Sequence, residues 1–178
     1  MRWILGVVGV LVVIVLVVVV IGYLLPQSHT AAVAARYAAR PEALWATLTD
    51  VQTFPQWRPG VKRVEVLPDE NGQRGWREHA SGDVITYRVI ESDPPRRLVA
   101  RIANENLPYG GTWTYDLTPA DSGTHLTITE RGDVYNPIFR FVSRFILGYT
   151  GTMEGVLRAL GTKHGETVAP EPVTAGPA

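Results

Sequence analysis

The chain has 178 residues, 46% of them apolar, with 17 basic and 17 acidic side chains and no cysteine. This length fits one domain of ordinary size and excludes a multidomain machine. The lack of cysteine excludes disulfides, thiolate metal sites and a cysteine nucleophile. Residues 1–25 hold 21 apolar residues, three glycines and one charge, Arg2. The other 153 residues have 16 basic and 17 acidic side chains, so they offer no broad positive surface and we expect no nucleic-acid partner.

An uncharged stretch of 23 residues begins at Trp3 and ends at Leu25. As a helix it would rise about 34 Å, enough to cross a hydrocarbon core about 30 Å thick. The pattern predicts a single-pass transmembrane anchor over residues 1–25 and membrane as the location and a partner of the protein. A cleaved signal peptide is the alternative, because residues 31–35 are small and alanine-rich, as near a cleavage site.

The orientation of this anchor follows from the flanking charges. Arg2 lies directly beside one end, whereas the other end meets no fixed charge before Arg36. Positive charge favours the cytoplasmic side, which predicts a domain outside the cytoplasm. Arg40 together with Arg36 nearly cancels this bias.

The remaining chain divides by composition into three parts. Residues 26–35 predict a linker, and the Pro-, Gly- and Ala-rich residues 165–178 predict a disordered tail. The domain predicted between them, residues 36–164, begins with a short strand and two short helices. Pro41 suits the first turn of the first helix, and Asp50 is expected to cap the second.

Apolar residues then alternate with polar ones, which predicts strands with one dry and one solvated face. The alternating sets are Val64/Val66, Ile85/Tyr87/Val89, Leu98/Ala100/Ile102, Trp113/Tyr115/Leu117 and Leu126/Ile128. Turn-forming residues separate them at 69–72, 81–83, 93–95, 109–111 and 121–123. The sequence around Trp76 and Glu78 is too polar to assign a phase. The pattern as a whole predicts an antiparallel meander.

A helical period returns after Asn136 and Pro137, an N-cap followed by proline in the first turn. The apolar stripe consists of Ile138, Val142, Phe145, Tyr149, Met153, Val156 and Leu160. It predicts a helix of about 23 residues with a bend near residues 148–151, where glycines recur. Such a stripe needs an apolar surface to cover, so the predicted class is α+β, a curved antiparallel sheet wrapped round a long C-terminal helix.

Several segments resemble the polyketide cyclase/dehydrase and lipid-transport branch of the SRPBCC (START-like, helix-grip) superfamily. They are Arg40–Asp50, Phe54–Val61, Asp93–Leu98, Gly111–Tyr115 and Gly123–Glu130, in the expected order. The resemblance covers about residues 32–163 and leaves the apolar N-terminal segment outside. It implies a deep cavity between sheet and C-terminal helix for an apolar or amphipathic small molecule. It implies no common reaction, because members include carriers, sensors and cyclases.

The strand phases and this resemblance together define a candidate ligand-binding cavity. Its expected lining is Tyr87, Val89, Ile102, Trp113, Tyr115, Ile128, Glu130, Phe145, Tyr149 and Met153. The alternative is that these residues close on one another as a solid core. Tyr87 and Tyr115 are candidate hydroxyl donors into the cavity.

Glu130 is the most informative polar residue in this set, because it continues the inward parity of Leu126 and Ile128. A carboxylate at the dry end of a strand is a candidate ligand anchor or general acid/base. The alternative is a salt bridge to Arg131 or Arg101, or solvation at the strand end.

Other chemistries lack sequence support. The four histidines are scattered, and no HExxH, P-loop, G-x-G-x-x-G or G-x-S-x-G motif occurs, so we expect no metal and no cofactor. The first functional hypothesis is a membrane-anchored binding protein for a hydrophobic small molecule such as a lipid. The second is a cyclase/dehydrase-like enzyme that uses Glu130, Tyr87 or Tyr115 as acid or base. The third is a non-catalytic scaffold or partner-binding module.

Overall fold

Eight antiparallel strands form one sheet that follows a long apolar helix. The structure, a computed structural model, describes residues 2–80 and 82–174. The helices are α1 (Arg2–Leu24), α2 (Pro41–Thr49), α3 (Phe54–Trp57), α4 (Pro137–Val142) and α5 (Gly151–Lys163). The strands are β1 (Ser28–Tyr37), β2 (Val61–Glu70), β3 (Gln73–Ala80), β4 (Val84–Asp93), β5 (Arg97–Ile102), β6 (Tyr109–Ala120), β7 (Gly123–Val134) and β8 (Glu171–Val173).

The sheet has the order β2-β3-β4-β5-β6-β7-β1-β8. Strands β2 to β7 form a meander, and β1 and β8 extend the sheet beyond β7. Its concave face packs against α2 and α5, which confirms the predicted α+β helix-grip arrangement. The core consists of Val33, Ala35, Leu44, Leu48, Leu98, Leu117, Leu126, Ile128, Met153, Val156, Leu157 and Leu160, among others. The Tyr37 hydroxyl donates to the carbonyl oxygen of Leu157 at 2.8 Å, which links β1 to α5 across this core.

The predicted inward sets of β4 to β7 share one face, although burial alternates residue by residue in β7 and not in β5 or β6, where Val99 and Thr114 on the other face are also buried. Tyr87 pairs with Ile102, Ala100 with Trp113, and Tyr115 with Ile128, so the inward sets of neighbouring strands lie side by side. The polar segment around Trp76, which the sequence left unphased, forms β3, and both Trp76 and Glu78 are buried.

The linker predicted over residues 26–35 is instead mostly strand. β1 pairs with β7 from Ser28 to Tyr37, so only residues 25–27 separate it from α1. Four consecutive residues, Ala32 to Ala35, are buried, although only Val33 and Ala35 face the sheet–helix core. This removes the alternation by which a strand is recognised in sequence.

The tail also differs from its prediction. The Glu166 carboxylate accepts hydrogen bonds from the backbone N–H groups of Ala38 and Ala39 at 2.7 and 2.9 Å. β8 then pairs with residues 32–34 of β1, because that strand would otherwise present an unpaired edge. The last predicted tail residues, 175–178, lie outside the described part of the chain, as do Met1 of the predicted anchor and Ser81 of the predicted turn at 81–83.

The turn predicted at residues 109–111 lies within β6. Gly111 has φ +130°, and a Cβ at this position would overlap the carbonyl oxygen of Arg131 on β7. The glycine therefore marks a close approach of two strands, while residues 103–108 make the connection.

The C-terminal helix is broken rather than continuous. The Asn136 side chain accepts from the N–H groups of Ile138 and Phe139, which confirms the predicted N-cap. α4 is followed by a π-helical turn, Ser143–Leu147, and then by Gly148 with φ +71° before α5 begins. α5 packs against the sheet core, whereas α4 contacts α1 and the end of β7. The predicted bend is therefore a complete break.

The second short helix also differs in detail. The Asp50 side chain makes no capping hydrogen bond, and its carbonyl oxygen accepts from the Thr53 N–H instead. Pro55 lies in the first turn of α3 rather than beyond the helix end.

Candidate functional site

A buried ion pair lies beneath the concave face of the sheet. Arg58 follows α3 directly, and Glu78 lies on the inward side of β3. The distance from Arg58 Nη1 to Glu78 Oε1 is 3.3 Å, and the two side chains are only 9% and 6% exposed. Trp76 Nε1 donates to the same carboxylate oxygen at 2.8 Å, so Glu78 has two partners. Burial of charges in such a place requires pairing of this kind.

Aromatic rings enclose the Arg58 guanidinium. Its central carbon lies 5.0 Å from the centre of the Phe54 ring and 5.6 Å from that of Trp113, within cation–π range. Trp76 and Tyr87 stack beside it with ring centres 5.2 Å apart. The Arg58 charge, paired with Glu78, is therefore held among side chains that are mostly apolar.

The protonation of this cluster follows from its burial and charges. Burial lowers the pKa of Arg58, but Tyr115, Glu78 and Tyr87 raise it more, so the net pKa lies above its ordinary value. Burial raises the pKa of Tyr115 and of Tyr87, while Arg58 partly opposes this. Both tyrosines are therefore protonated near neutral pH and can donate hydrogen bonds.

A second polar group is formed around Glu130 of β7. The Glu130 carboxylate accepts from Trp113 Nε1 at 3.0 Å and lies 3.3 Å from His29 Nε2. The His29 ring stacks on Tyr149 at 3.8 Å between centres. Trp113 thus contacts both polar groups, since its ring faces Arg58 and its N–H reaches Glu130.

An apolar pocket of about 190 Å³ lies between α2 and the β2–β5 part of the sheet. Its wall includes Leu48, Val66, Trp76, Val89 and Leu98. Asp69 and Arg74 lie at its exposed rim. Trp76 belongs to both the pocket wall and the partners of Glu78, so the pocket adjoins the buried ion pair.

The structure brings together many of the predicted site residues. Tyr87, Trp113 and Tyr115 surround or adjoin Arg58, and Val89 lines the pocket. Ile102 is half-buried beside Tyr87 in the sheet.

The other predicted residues lie elsewhere. Ile128 and Met153 are fully buried in the core, and Tyr149 stacks on His29. Phe145 is 59% exposed and packs against Phe141, so it does not line the interior. Its placement was wrong because the helical period is interrupted before α5.

Glu130 has neither of the arginine partners considered from the sequence. Arg131 and Arg101 are both exposed, and the observed partners are His29 and Trp113. Its side chain is 23% exposed, so it lies at the margin of the interior.

Sequence reasoning missed Arg58, Glu78 and His29. Arginine is normally solvated, and its partner lies on a strand without clear alternation. The shared parity of Trp76 and Glu78 was the one available signal. His29 was missed because its strand was taken as a linker. Among residues 2–80 and 82–174, no cluster of His, Cys, Asp or Glu has the arrangement of a metal site.

Comparison with known proteins assigns the fold to a family. The family described as polyketide cyclase/dehydrase and lipid transport matches residues 28–165. The chain belongs to this family. The match begins at the first residue of β1 and ends just after α5, so this family domain excludes α1. No curated protein has a significant sequence match.

Solved structures of polyketide cyclase/dehydrase-like proteins share this fold. The di-domain aromatase/cyclase StfQ from the steffimycin biosynthetic pathway aligns with a TM-score of 0.59 and 14% identity, covering 75% of this chain. This chain spans about half of that protein, 49% of its length. The Zhui aromatase/cyclase from Streptomyces sp. R1128 gives 0.53 at 19% identity, covering 75% and 88% of the two chains. A conserved protein from Geobacillus kaustophilus gives 0.65 at 15% identity, covering 80% and 99%.

At these identities the structures show a common fold and not a shared substrate.

Proposed function

We propose that this protein is a membrane-anchored binding protein for an amphipathic small molecule such as a lipid. The polar end of the ligand binds near Arg58, and its apolar part occupies the pocket beside Trp76 and widens it. The main observation behind this proposal is the Arg58 guanidinium, which is buried with Glu78 in an interior that is otherwise mostly aromatic and aliphatic.

The hydrogen-bonding capacity of Arg58 supports this role. A guanidinium has five N–H donors. In the part of the chain that the structure describes, Glu78 is its one carboxylate partner. Trp57 Nε1, on the preceding residue, is buried without a protein partner in the same part of the chain. These donors suit a ligand that carries a carboxylate, phosphate or carbonyl oxygen.

The pocket supports an apolar ligand body. Its wall is formed mainly by aliphatic side chains and Trp76. Its volume of about 190 Å³ is below the usual 300–1,000 Å³ of small-molecule sites, so binding requires side chains to move apart. Arg74 at the rim is free of the core and can follow such a movement.

The first helix supports the membrane location. Residues 3–24 are long and apolar enough to cross a membrane, and none of their most apolar window is buried against the rest of the chain. A helix that is apolar all round and unpacked has no place in water. A cleaved signal sequence has the same composition, so the test uses the full-length chain.

The test is native mass spectrometry of the full-length chain, released from detergent micelles after incubation with a membrane lipid extract. The matched variants are Arg58→Met/Glu78→Gln, which removes both buried charges together, and Arg74→Met, which removes an exposed arginine at the rim. We expect the wild type and Arg74→Met to retain one lipid class. The double variant should retain about tenfold less, the loss expected for one or two charge-assisted hydrogen bonds.

Failure of every lipid class to bind the wild type would overturn the proposal. Equal retention by the double variant would leave lipid binding intact but remove Arg58 as its anchor. Membrane anchoring is tested separately by alkaline carbonate extraction of the full-length chain from membranes. An integral anchor stays in the pellet, whereas a cleaved leader leaves a shortened, soluble protein.

A cyclase/dehydrase-like enzyme is the second candidate, and the His29–Glu130 pair is the observation that favours it. His29 Nε2 and Glu130 Oε1 lie 3.3 Å apart without the geometry of a hydrogen bond, so a small movement of either side chain would allow proton transfer in an acid–base step. The expected reaction on a β-hydroxy ketone is loss of one water, detected by mass. Activity that survives in both Glu130→Gln and His29→Asn would contradict this assignment.

A further inference from the structure

Exposed apolar side chains outside α1 are concentrated in one short segment. Among the described residues, ten such large side chains are exposed, and six of them lie between residues 135 and 147. We name these six the 135–147 surface: Tyr135, Ile138, Phe139, Phe145, Ile146 and Leu147. The other four, Val66, Val84, Ile90 and Val173, are spread over three strands, β2, β4 and β8. Isolated exposed apolar residues are ordinary, whereas a contiguous group marks an interaction surface.

The 135–147 surface lies beside the C-terminal end of α1. Gly22 of α1 is buried against Pro137, the first residue of α4, and a Cβ at Gly22 would overlap the Pro137 carbonyl oxygen. Arg140 joins the two elements, since its Nε donates to Val134 at 2.7 Å and its Nη1 lies 3.5 Å from the Gly22 carbonyl oxygen. The helix ends two residues later, at Leu24.

The length of α1 fixes the depth of this surface. Its 23 residues rise about 34 Å, only slightly more than a hydrocarbon core of about 30 Å. When α1 spans a bilayer, Gly22 lies near the boundary between acyl chains and headgroups. Pro137 contacts Gly22, so the 135–147 surface begins near the same level, where interfacial helices bury their apolar faces by about 5–10 Å.

The composition of the segment fits a phospholipid. Two phenylalanines and a tyrosine accompany three long aliphatic side chains, and Arg140 and Arg144 are interspersed with them. Residues 135–147 contain no acidic side chain. Aromatic and basic residues together are favoured at the membrane interface, where arginine meets lipid phosphate.

We propose that the 135–147 surface inserts into the interfacial layer of the bilayer that α1 spans. The inference rests on the proposed membrane anchoring. The bilayer is favoured over a protein partner because the apolar surface continues directly from α1, whose most apolar window is not buried against the rest of the described chain.

Insertion also brings one margin of the interior close to the bilayer. The chain turns at Gly148 directly after Leu147, and the next residue, Tyr149, stacks on His29 beside Glu130. The inserted segment therefore connects within two residues to the end of the interior marked by Glu130.

The test measures the depth of single labels in the full-length chain, reconstituted in phosphatidylcholine/phosphatidylglycerol vesicles. The chain has no cysteine, so Ile146→Cys, Phe139→Cys, Ile14→Cys and Ile90→Cys each give one site for a fluorescent label. Ile146 and Phe139 probe the 135–147 surface, Ile14 probes the middle of α1, and Ile90 is an exposed residue on β4. All four are exposed, so each substitution should leave the fold intact.

Nitroxide-labelled lipids should quench the labels at 146 and 139 several-fold more than the label at 90, and also quench the label at 14. If the label at 14 is strongly quenched but the labels at 146 and 139 are quenched no more than the label at 90, the inference is overturned and the spanning anchor is supported. Quenching at 146 and 139 but not at 14 would support interfacial insertion and overturn the spanning anchor. No quenching at any of the three sites would overturn both.

Discussion

Removal of one member of the Arg58–Glu78 pair tests the electrostatics of the interior. Glu78→Gln keeps the shape of the side chain and its contact with Trp76 but leaves the Arg58 charge without its carboxylate. Both side chains are more than nine-tenths buried, so little water can replace the lost partner. A buried pair broken in this way typically loses about 3–5 kcal/mol of unfolding free energy.

The double variant Arg58→Met/Glu78→Gln separates the unpaired charge from other effects of substitution. It removes both charges, so it should be more stable than Glu78→Gln alone by about 2 kcal/mol or more. The control is the pair Arg77–Glu65 on β3 and β2, at 3.2 Å but with side chains 38% and 43% exposed. Glu65→Gln should cost about 0–1 kcal/mol, because water screens an exposed pair.

The assay is equilibrium urea unfolding of the full-length chain in mild detergent, followed by near-ultraviolet circular dichroism of the tryptophans. The reasoning is refuted if Glu78→Gln costs no more than Glu65→Gln. It is equally refuted if the double variant is as unstable as the sum of the single variants, because the two charges would then not interact.

Three further outcomes follow from the core, a helix cap and one histidine. Leu157→Ala should lower the unfolding free energy by about 2–5 kcal/mol, because it opens a cavity in the sheet–helix core, whereas Phe145→Ala should change it by less than about 0.5 kcal/mol in the same urea titration. Asn136→Ala should cost about 1 kcal/mol through loss of two N-cap hydrogen bonds, while Asn136→Asp should retain most of the stability. Burial lowers the pKa of His164, and Lys163 adds to this against the opposing Glu166. The stability due to neutral His164 is therefore complete above pH about 6.5 and decreases as the pH falls through the folded-state pKa. The melting temperature measured from pH 8 to pH 5 should fall less in His164→Asn, and an identical fall in both proteins would contradict this role.

The sheet could be predicted largely from sequence because most of its strands bury one face. The period-two sets around Tyr87, Ala100 and Tyr115 follow from that one-sided burial, and they occupy neighbouring positions in the sheet. β1 could not be recognised, since Ala32–Ala35 are buried consecutively and show no alternation. Alternation in a sequence reflects a difference in burial between the two faces of a strand, so it is absent where residues on both faces are buried.

The helix after β7 was predicted as one element because its apolar residues recur at three or four residues on both sides of Gly148. The recurrence is real, but the two halves face different surroundings. α5 covers the core through residues such as Met153, whereas the π-helical turn that contains Phe145 is exposed. A periodic stripe indicates that a helix has an apolar face and does not identify what covers it.

The polar interior depended on contacts between distant residues. Glu78 lies 20 positions after Arg58, and His29 lies about a hundred positions before its partner Glu130. Glu130 itself was recognised because it continued the parity of an alternating strand. Charged residues without such a pattern look like ordinary surface residues until the fold brings them together.

The connection between α1 and β1 has a mechanical consequence. Three residues, 25–27, span at most about 10 Å when extended, so β1 starts close to the end of the helix. Such a short connection restricts movement of the domain relative to an anchored α1, unlike a long flexible linker. In a bilayer its encounters with ligands then depend on lateral diffusion of the whole molecule in two dimensions. The domain then meets each new lipid at nearly constant height and tilt, and diffusion along one leaflet replaces a search in solution.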